Sequence, residues 1–446
     1  MTRRENGLPA LALLSVISGA ATGVLVSLFK LTLQRADRLR GVWLAEAHHL
    51  PVVGFALAVL ACAAAVGAAA WLVRRFSVYA SGSGVPEVEA ALSRDLPPAP
   101  LRRILLIKFV GGTLSIGAGM LLGPEGPGVQ MGAVGARLLG TVFRRGWTDV
   151  HALIAAGAGA GIAVAFNAPI AGAVFVLEEL VRRFDVRIAI AGLGASSTAI
   201  LVSRLLLGDG PEFHLAPAGA VAAATGSLAY TTISAWLLYL ALGALTGAAA
   251  VLYNKLIMGS LSLSDRLSEW PVEAKAALVG GAIGAVGWFS PGLVGVGADV
   301  IRQVLGGGAA TGAILVILLV RFLLGGACYA ARTPGGLFAP LLALGAMTGF
   351  LFGSLCQAAL PAVGVPPQAF AVVGMAAFFV GVVRAPLTGI VLVIEMTAAF
   401  ATLLPMLVAC FTATLAAAML NSPPIYDSLG RRLARELAEE RAPGER

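Results

Sequence analysis

Between Thr333 and Val383 this chain carries not one Asp, Glu, Lys or Arg. Gly7 to Phe29 and Val52 to Val73 are equally free of charge. About 20 apolar residues cross the hydrocarbon core of a bilayer as a helix. The runs therefore provide for ten or more helical passages, and no soluble core absorbs so many consecutive apolar residues. Only 12% of the 446 residues are charged, against about 25% in a soluble domain, which places the chain in a membrane.

The second constraint is internal. Ala168-Pro169-Ile170-Ala171-Gly172-Ala173-Val174-Phe175-Val176-Leu177-Glu178 reappears as Ala385-Pro386-Leu387-Thr388-Gly389-Ile390-Val391-Leu392-Val393-Ile394-Glu395. Upstream of each copy, Gly123-Pro124-Glu125-Gly126-Pro127 aligns with Gly336-Leu337-Phe338-Ala339-Pro340, and Gly132-Ala133 with Gly345-Ala346. Duplicated halves with interrupted hydrophobic segments at corresponding positions point to a transporter's substrate site. The expected organisation is a first repeat over 1–207, a connector over 208–228, a second repeat over 229–430 and a cytoplasmic tail over 431–446.

The formal net charge of +8 is spread over short connectors such as Arg74-Arg75, Arg102-Arg103, Arg144-Arg145 and Arg182-Arg183. That is a positive-inside pattern rather than a nucleic-acid face, and arginine near both ends places both termini in the cytoplasm. Pro9 to Lys30 lacks a small-residue cleavage motif and reads as a retained first helix. Cys62, Cys328, Cys356 and Cys410 are isolated in apolar surroundings, and the four histidines have no ligand spacing. Neither a metal nor a cofactor is expected. Most of the 56 glycines serve close helix packing.

Helices are expected over 9–34, 52–75, 101–122, 127–143, 150–165, 168–183, 188–206, 230–257, 273–290, 309–330, 338–358, 367–381, 384–399, 402–420 and 425–441. Four breaks interrupt them: Ser81-Gly82-Ser83-Gly84-Val85-Pro86, which leads into a short helix, Gly123 to Pro127, Pro334 to Pro340, and Asn421 to Tyr426. A helix that starts inside the membrane presents unpaired N–H groups and the positive end of its dipole. Several such ends converging make an anion site without a full cationic charge. Partial charges and hydroxyls bind an anion and still release it.

These residues resemble the CLC family of chloride channels and proton-coupled chloride exchangers, in its prokaryotic form without CBS domains and with no regulatory domain expected after Arg446. The resemblance is carried by Gly82–Pro86, Gly123–Pro127, Ala165–Glu179, Gly335–Pro340 and the segment of Tyr426. It implies an all-α polytopic protein of two inverted-topology repeats whose broken helices meet at a mid-membrane anion site, and a homodimer with one pathway per subunit. By that resemblance the Ser83 and Tyr426 hydroxyls and the amides of Leu337 and Phe338 surround a central chloride, with Gly126 also in the chloride-binding set. Similar proteins that favour nitrate carry proline in place of Ser83, so chloride is the expected anion.

Glu125 opens the helix after its break. A carboxylate deep in an apolar chain is costly and usually functional. Charged, it would occupy an anion position and block it. Protonated, it would swing away, so one residue acts as outer gate and proton acceptor, as its family counterpart does. Glu178 aligns with Glu395 at the end of the same motif and is expected to share a structural role with it. Glu179 aligns with Met396 and points about 100° away from Glu178. The residue without a repeat partner is expected to carry function, and Glu179 is assigned inner proton transfer.

Glu89 and Lys108 are expected to form a structural ion pair between neighbouring helices. The family usually carries a basic residue where this chain has Pro124, so the outermost anion site is expected to be weak. The expected function is chloride transport in exchange for protons in an inner or plasma membrane, with chloride, protons and lipid as partners and no nucleic acid. An uncoupled chloride channel of the same fold is the alternative. An intramembrane enzyme using Glu125 and Glu179 lacks a nucleophile or metal set, and no phosphate-binding GxxxxGK[ST] loop is present.

Overall fold

The computed structural model describes residues 7–93, 100–213 and 233–441. The expected connector over 208–228 lies outside the described residues from 214 onward, and the tail lies outside them from 442. Seventeen α-helices make up the described part. They are α1 (Leu8–Ala47), α2 (Pro51–Phe76), α3 (Val85–Leu92), α4 (Leu101–Gly117), α5 (Glu125–Val142), α6 (Trp147–Phe166), α7 (Pro169–Phe175) and α8 (Val186–Leu207). The second series is α9 (Ile233–Arg266), α10 (Val272–Phe289), α11 (Ala298–Leu305), α12 (Thr311–Ala330), α13 (Phe338–Ala359), α14 (Pro367–Val383), α15 (Pro386–Thr397) and α16 (Leu403–Met419). The last helix, α17 (Ile425–Arg441), belongs to neither series and packs against α3.

The two series repeat one another helix for helix, with a short one third in each. Their packing repeats as well. Helix α5 lies along α6 as α13 lies along α14, and α1 lies against α8 as α9 lies against α16. Two glycine pairs show how close these approaches are. A Cβ on Gly132 would strike the Gly157 carbonyl of α6, and one on Gly345 would strike the Gly374 carbonyl of α14. Backbone-on-backbone contact at this range is what small residues provide in lipid, where apolar burial drives helices together only weakly.

Nine of the described helices are long and apolar enough to cross a membrane. Their outward faces carry large apolar side chains such as Leu205, Leu278 and Phe411, which suits a lipid-facing surface. Helix α6 is the opposite case. Almost all of it is buried, so it is a central pillar.

Four expectations change, one being that the helix expected over 230–257 runs on to Arg266. The first helix runs to Ala47 rather than ending near 34, because its polar and charged second half continues the same backbone hydrogen-bond ladder. The helix expected over 101–122 ends at Gly117 and breaks before the gate segment. The segment expected as one helix over 168–183 is α7 followed by a π-helical turn, Val176–Leu180. Its copy α15 stays α-helical to Thr397. Helix α11 was not foreseen.

Candidate anion and proton site

The two copied motifs meet face to face. Glu178 accepts hydrogen bonds from the amides of Leu387 (3.0 Å) and Thr388 (2.7 Å) at the start of α15, and from the Thr388 hydroxyl. Glu395 accepts from Ile170 (3.1 Å) and Ala171 (2.8 Å) at the start of α7. Each carboxylate satisfies amides that lack an intrahelical partner and sits at the favourable end of the dipole. Because the C-terminal end of each helix meets the N-terminal end of the other, α7 and α15 are antiparallel, which is the inverted relation expected of the repeats. The shared structural role of Glu178 and Glu395 is therefore this mutual cap.

The breaks meet the same way. Gly123 N–H donates to the Gly336 carbonyl at 2.9 Å and Gly336 N–H donates back to Gly123 at 2.8 Å. Next to this clasp, Gly82 donates to Thr333 at 3.2 Å and Gly335 donates to Gly82 at 3.0 Å. Gly84 has a left-handed backbone at φ 87°, a region glycine enters freely, and it turns the chain into α3.

Around this clasp the sequence-designated groups converge. Glu125 is the first residue of α5 and is 1% exposed. Its Oε1 accepts from the Ala339 amide in the first turn of α13 at 3.2 Å. A Cβ on Gly336 would strike Oε1 and one on Gly123 would strike Oε2, so the carboxylate is folded onto the clasp itself. Gly126 is equally confined, since a Cβ there would meet the Ser83 carbonyl and Gly336 Cα. Leu337 and Phe338 open α13 and are buried. The Phe338 ring lies edge-on to Phe379 at 4.8 Å and to Tyr426 at 5.8 Å. These edge-on contacts hold Tyr426 beside the amino end of α13.

Ser83 and Tyr426 are 1% and 0% exposed, and neither hydroxyl has a hydrogen-bond partner in the protein. Glu125 Oε2 is likewise buried and unpaired. Unpaired hydroxyls beside a helix amino terminus are groups able to cradle a monatomic anion. Glu125 sits on that same amino terminus.

Glu179 lies in the π turn, 5% exposed, so it is not a solvated surface charge. Its Oε1 is 3.4 Å from Arg182 Nη2. Its counterpart in the other half, Met396, is buried in an uninterrupted α-helix. A π turn rotates the residues after it relative to a regular helix, and such turns recur at functional sites.

The expected Glu89–Lys108 pair is not formed. Glu89 pairs with Arg182 at 3.4 Å. Lys108 is wholly buried and donates to the carbonyls of Ser81 (3.2 Å) and Gly82 (2.7 Å). Arg321, 2% exposed, does the same in the second half, donating to Leu293, Val294 and Gly295 before α11. Carbonyl oxygens satisfy a buried cation as hydrogen-bond acceptors, and the buried carboxylate that acts on Lys108 through charge is Glu87 rather than Glu89. The parallel exposes a repeat that the sequence reading missed: Gly82-Ser83-Gly84 before α3 matches Gly295-Val296-Gly297 before α11. The hydroxyl is present in one half and replaced by valine in the other.

Two cavities approach the cradle. One, of about 220 Å³, is lined by Pro124, Lys30, Arg40, Glu212 and Val296. The other, of about 460 Å³, is lined by Glu89, Tyr426, Asp427 and Arg431. No cluster of His, Cys, Asp and Glu able to hold a metal occurs among the described residues.

The sequence model of the voltage gated chloride channel family matches residues 63–418. A protein of Cronobacter sakazakii named H(+)/Cl(-) exchange transporter ClcA is 36% identical over 440 residues, covering 96% of this chain and 91% of that protein. One of the same name from Citrobacter koseri is 35% identical over 456 residues, covering 100% and 93%. The solved structure of a slow cyanobacterial Cl-/H+ antiporter superposes with a TM-score of 0.88 at 30% identity, over 95% of this chain and 98% of that one. A CLC-type fluoride/proton antiporter shares the fold at a TM-score of 0.75 and 23% identity, over 92% and 95%.

Proposed function

The chain belongs to the voltage-gated chloride channel family, and we propose that it exchanges chloride for protons, with Glu125 as outer gate and Glu179 as inner proton carrier. The observation that carries this is the seat of Glu125. Its carboxylate lies on the Ala339 amide, at the helix end contributed by the other half, where an anion would bind.

The cycle follows from electrostatics. An ionised Glu125 competes with chloride for the amino end of α13. Protonation removes that competition, because the neutral acid is a poor ligand for amide dipoles, and the side chain leaves the seat. Chloride then moves between the cradle of Ser83, Tyr426, Leu337 and Phe338 and the Pro124 side, past Gly126. Glu179, buried on the Arg182 side, carries protons to and from the cytoplasm. Partial charges keep the anion exchangeable, and Lys108 and Arg321 hold loop carbonyls instead of the anion.

The reading includes a multi-pass chain in a cell inner or plasma membrane with both termini cytoplasmic, supported by the arginine pairs in the connectors. It also includes a homodimer with one pathway in each subunit, and halves of 1–207 and 229–430. The comparison proteins are transporters and exchangers, and no bond-making step is proposed.

The test uses purified protein in chloride-loaded liposomes, with chloride efflux and external pH followed together. Proton uptake driven uphill by the chloride gradient supports exchange. Chloride efflux without proton movement makes it a channel of the same fold, and no chloride flux removes the proposal.

A further inference from the structure

We infer that Arg182 is a positioning residue that links the inner proton carrier to the helix bearing Tyr426, and so ties proton transfer to chloride release. The inference rests on the exchange reading above. Its basis is one nitrogen. Arg182 Nη2 lies 2.5 Å from Asp427 Oδ1, 3.4 Å from Glu179 Oε1 and 3.4 Å from Glu89 Oε1. The three carboxylates come from different elements. Glu89 is on α3, which follows the Ser83 loop, Glu179 is on the π turn, and Asp427 is in the first turn of α17, next to Tyr426.

A terminal guanidinium nitrogen carries two hydrogens, so it cannot serve three carboxylates at full strength. Asp427 holds the short contact while Glu179 and Glu89 share the remainder. Arg182 Nε also donates to the Glu179 backbone carbonyl at 3.1 Å, which keeps the guanidinium over the π turn. The Arg182 backbone is left-handed at φ 53°, the conformation that ends the turn and sends the side chain back across it. Glu178 takes no part, because both its oxygens are engaged at α15. Arg431 Nε reaches the Asp427 carbonyl oxygen at 3.2 Å and steadies the same helix turn.

The guanidinium is therefore contested. When Glu179 is ionised it draws on Arg182, and the hold on Asp427 is weakened. When Glu179 takes a proton it releases its share, and Asp427 is gripped more firmly. Tyr426 is the neighbour of Asp427 and presses its ring on Phe338, so a change in that grip reaches the chloride cradle within one residue. The arginine itself stays charged throughout. It moves no proton and touches no chloride.

The experiment measures chloride and proton fluxes together in liposomes for the wild type, Arg182→Gln, Asp427→Asn and the double variant. Chloride turnover is expected to persist in each. Protons moved per chloride are expected to fall about threefold or more in either single variant, and the double variant is expected to be no worse than the singles, as for residues acting through one contact. Arg182→Lys is expected to recover part of the ratio. An unchanged ratio in both single variants, with the wild type exchanging, overturns the inference. If Arg182→Gln does not elute as folded protein, the Asp427→Asn ratio decides alone. A wild type that moves chloride without protons sinks the exchange reading instead.

Discussion

Glu178 and Glu395, 217 positions apart in the chain, each cap the helix that carries the other. Four amide hydrogen bonds join α7 to α15 through these two carboxylates, and none of them touches the anion cradle. Glu178→Gln or Glu395→Gln keeps one acceptor oxygen and loses the charge. Each is expected to cost about 1.5–3 kcal/mol of stability, the range for hydrogen bonds to charged groups. The check is a lowered thermal midpoint in detergent, with the chloride-to-proton ratio of the surviving protein unchanged.

Glu125→Gln removes both the competing charge and the site of protonation. Uphill proton uptake is expected to vanish while chloride still crosses. Simultaneous recording of both ions in liposomes reads this directly, and persistent proton pumping in the variant would falsify the gate assignment.

The unpaired hydroxyls of Ser83 and Tyr426 set a measurable affinity. A single neutral hydrogen bond contributes about 0.5–1.5 kcal/mol, so Ser83→Ala and Tyr426→Phe are each expected to weaken chloride binding by roughly two- to tenfold. Calorimetric titration of chloride into chloride-free protein gives the number. An unchanged affinity in both would remove these groups from the cradle.

Pro124 takes both a cation and a backbone N–H away from the position before the gate. A bromide-soaked crystal is expected to show anion at the cradle and little outside Glu125, and Pro124→Arg is expected to raise the outer occupancy. Full bromide occupancy outside the gate in the unmodified protein would contradict this.

At Gly345 the fold leaves no room for a side chain, since a Cβ would strike the Gly374 carbonyl. Overpacking of this kind costs about 1–3 kcal/mol or more. Gly345→Ala is expected to lower the yield of monodisperse protein, whereas Gly135→Ala, in open space on α5, the repeat counterpart of α13, is expected to leave it unchanged.

The legible part of this chain was the part that repeats. The copied motifs place α5, α7, α13 and α15, and the absence of a repeat partner marks Glu179 as the odd carboxylate of the pair. The carboxylate that acts on Lys108 is Glu87, two positions before the expected Glu89, and it forms no hydrogen bond with the ammonium. The partners of the ammonium are carbonyls of Ser81 and Gly82, and every residue has a carbonyl, so nothing in the side-chain order advertises them. Helix α11 escaped because Gly295-Val296-Gly297 lacks the serine and proline that made its counterpart conspicuous, and because the eight residues after it mix charged and apolar types. The contacts of Arg182 were hidden by distance along the chain, since Asp427 lies 245 positions away.

The Gly123–Gly336 clasp has a consequence for how such a molecule works. Four backbone hydrogen bonds stitch the interrupted segments together, and α7 and α15 are stapled to one another beside them. To tilt one half against the other would break several of these bonds at once and leave buried backbone groups unpaired. Tilting is thus opposed at the clasp by backbone hydrogen bonds, whereas the Glu125 side chain, whose Oε2 has no partner, can turn without breaking any of them.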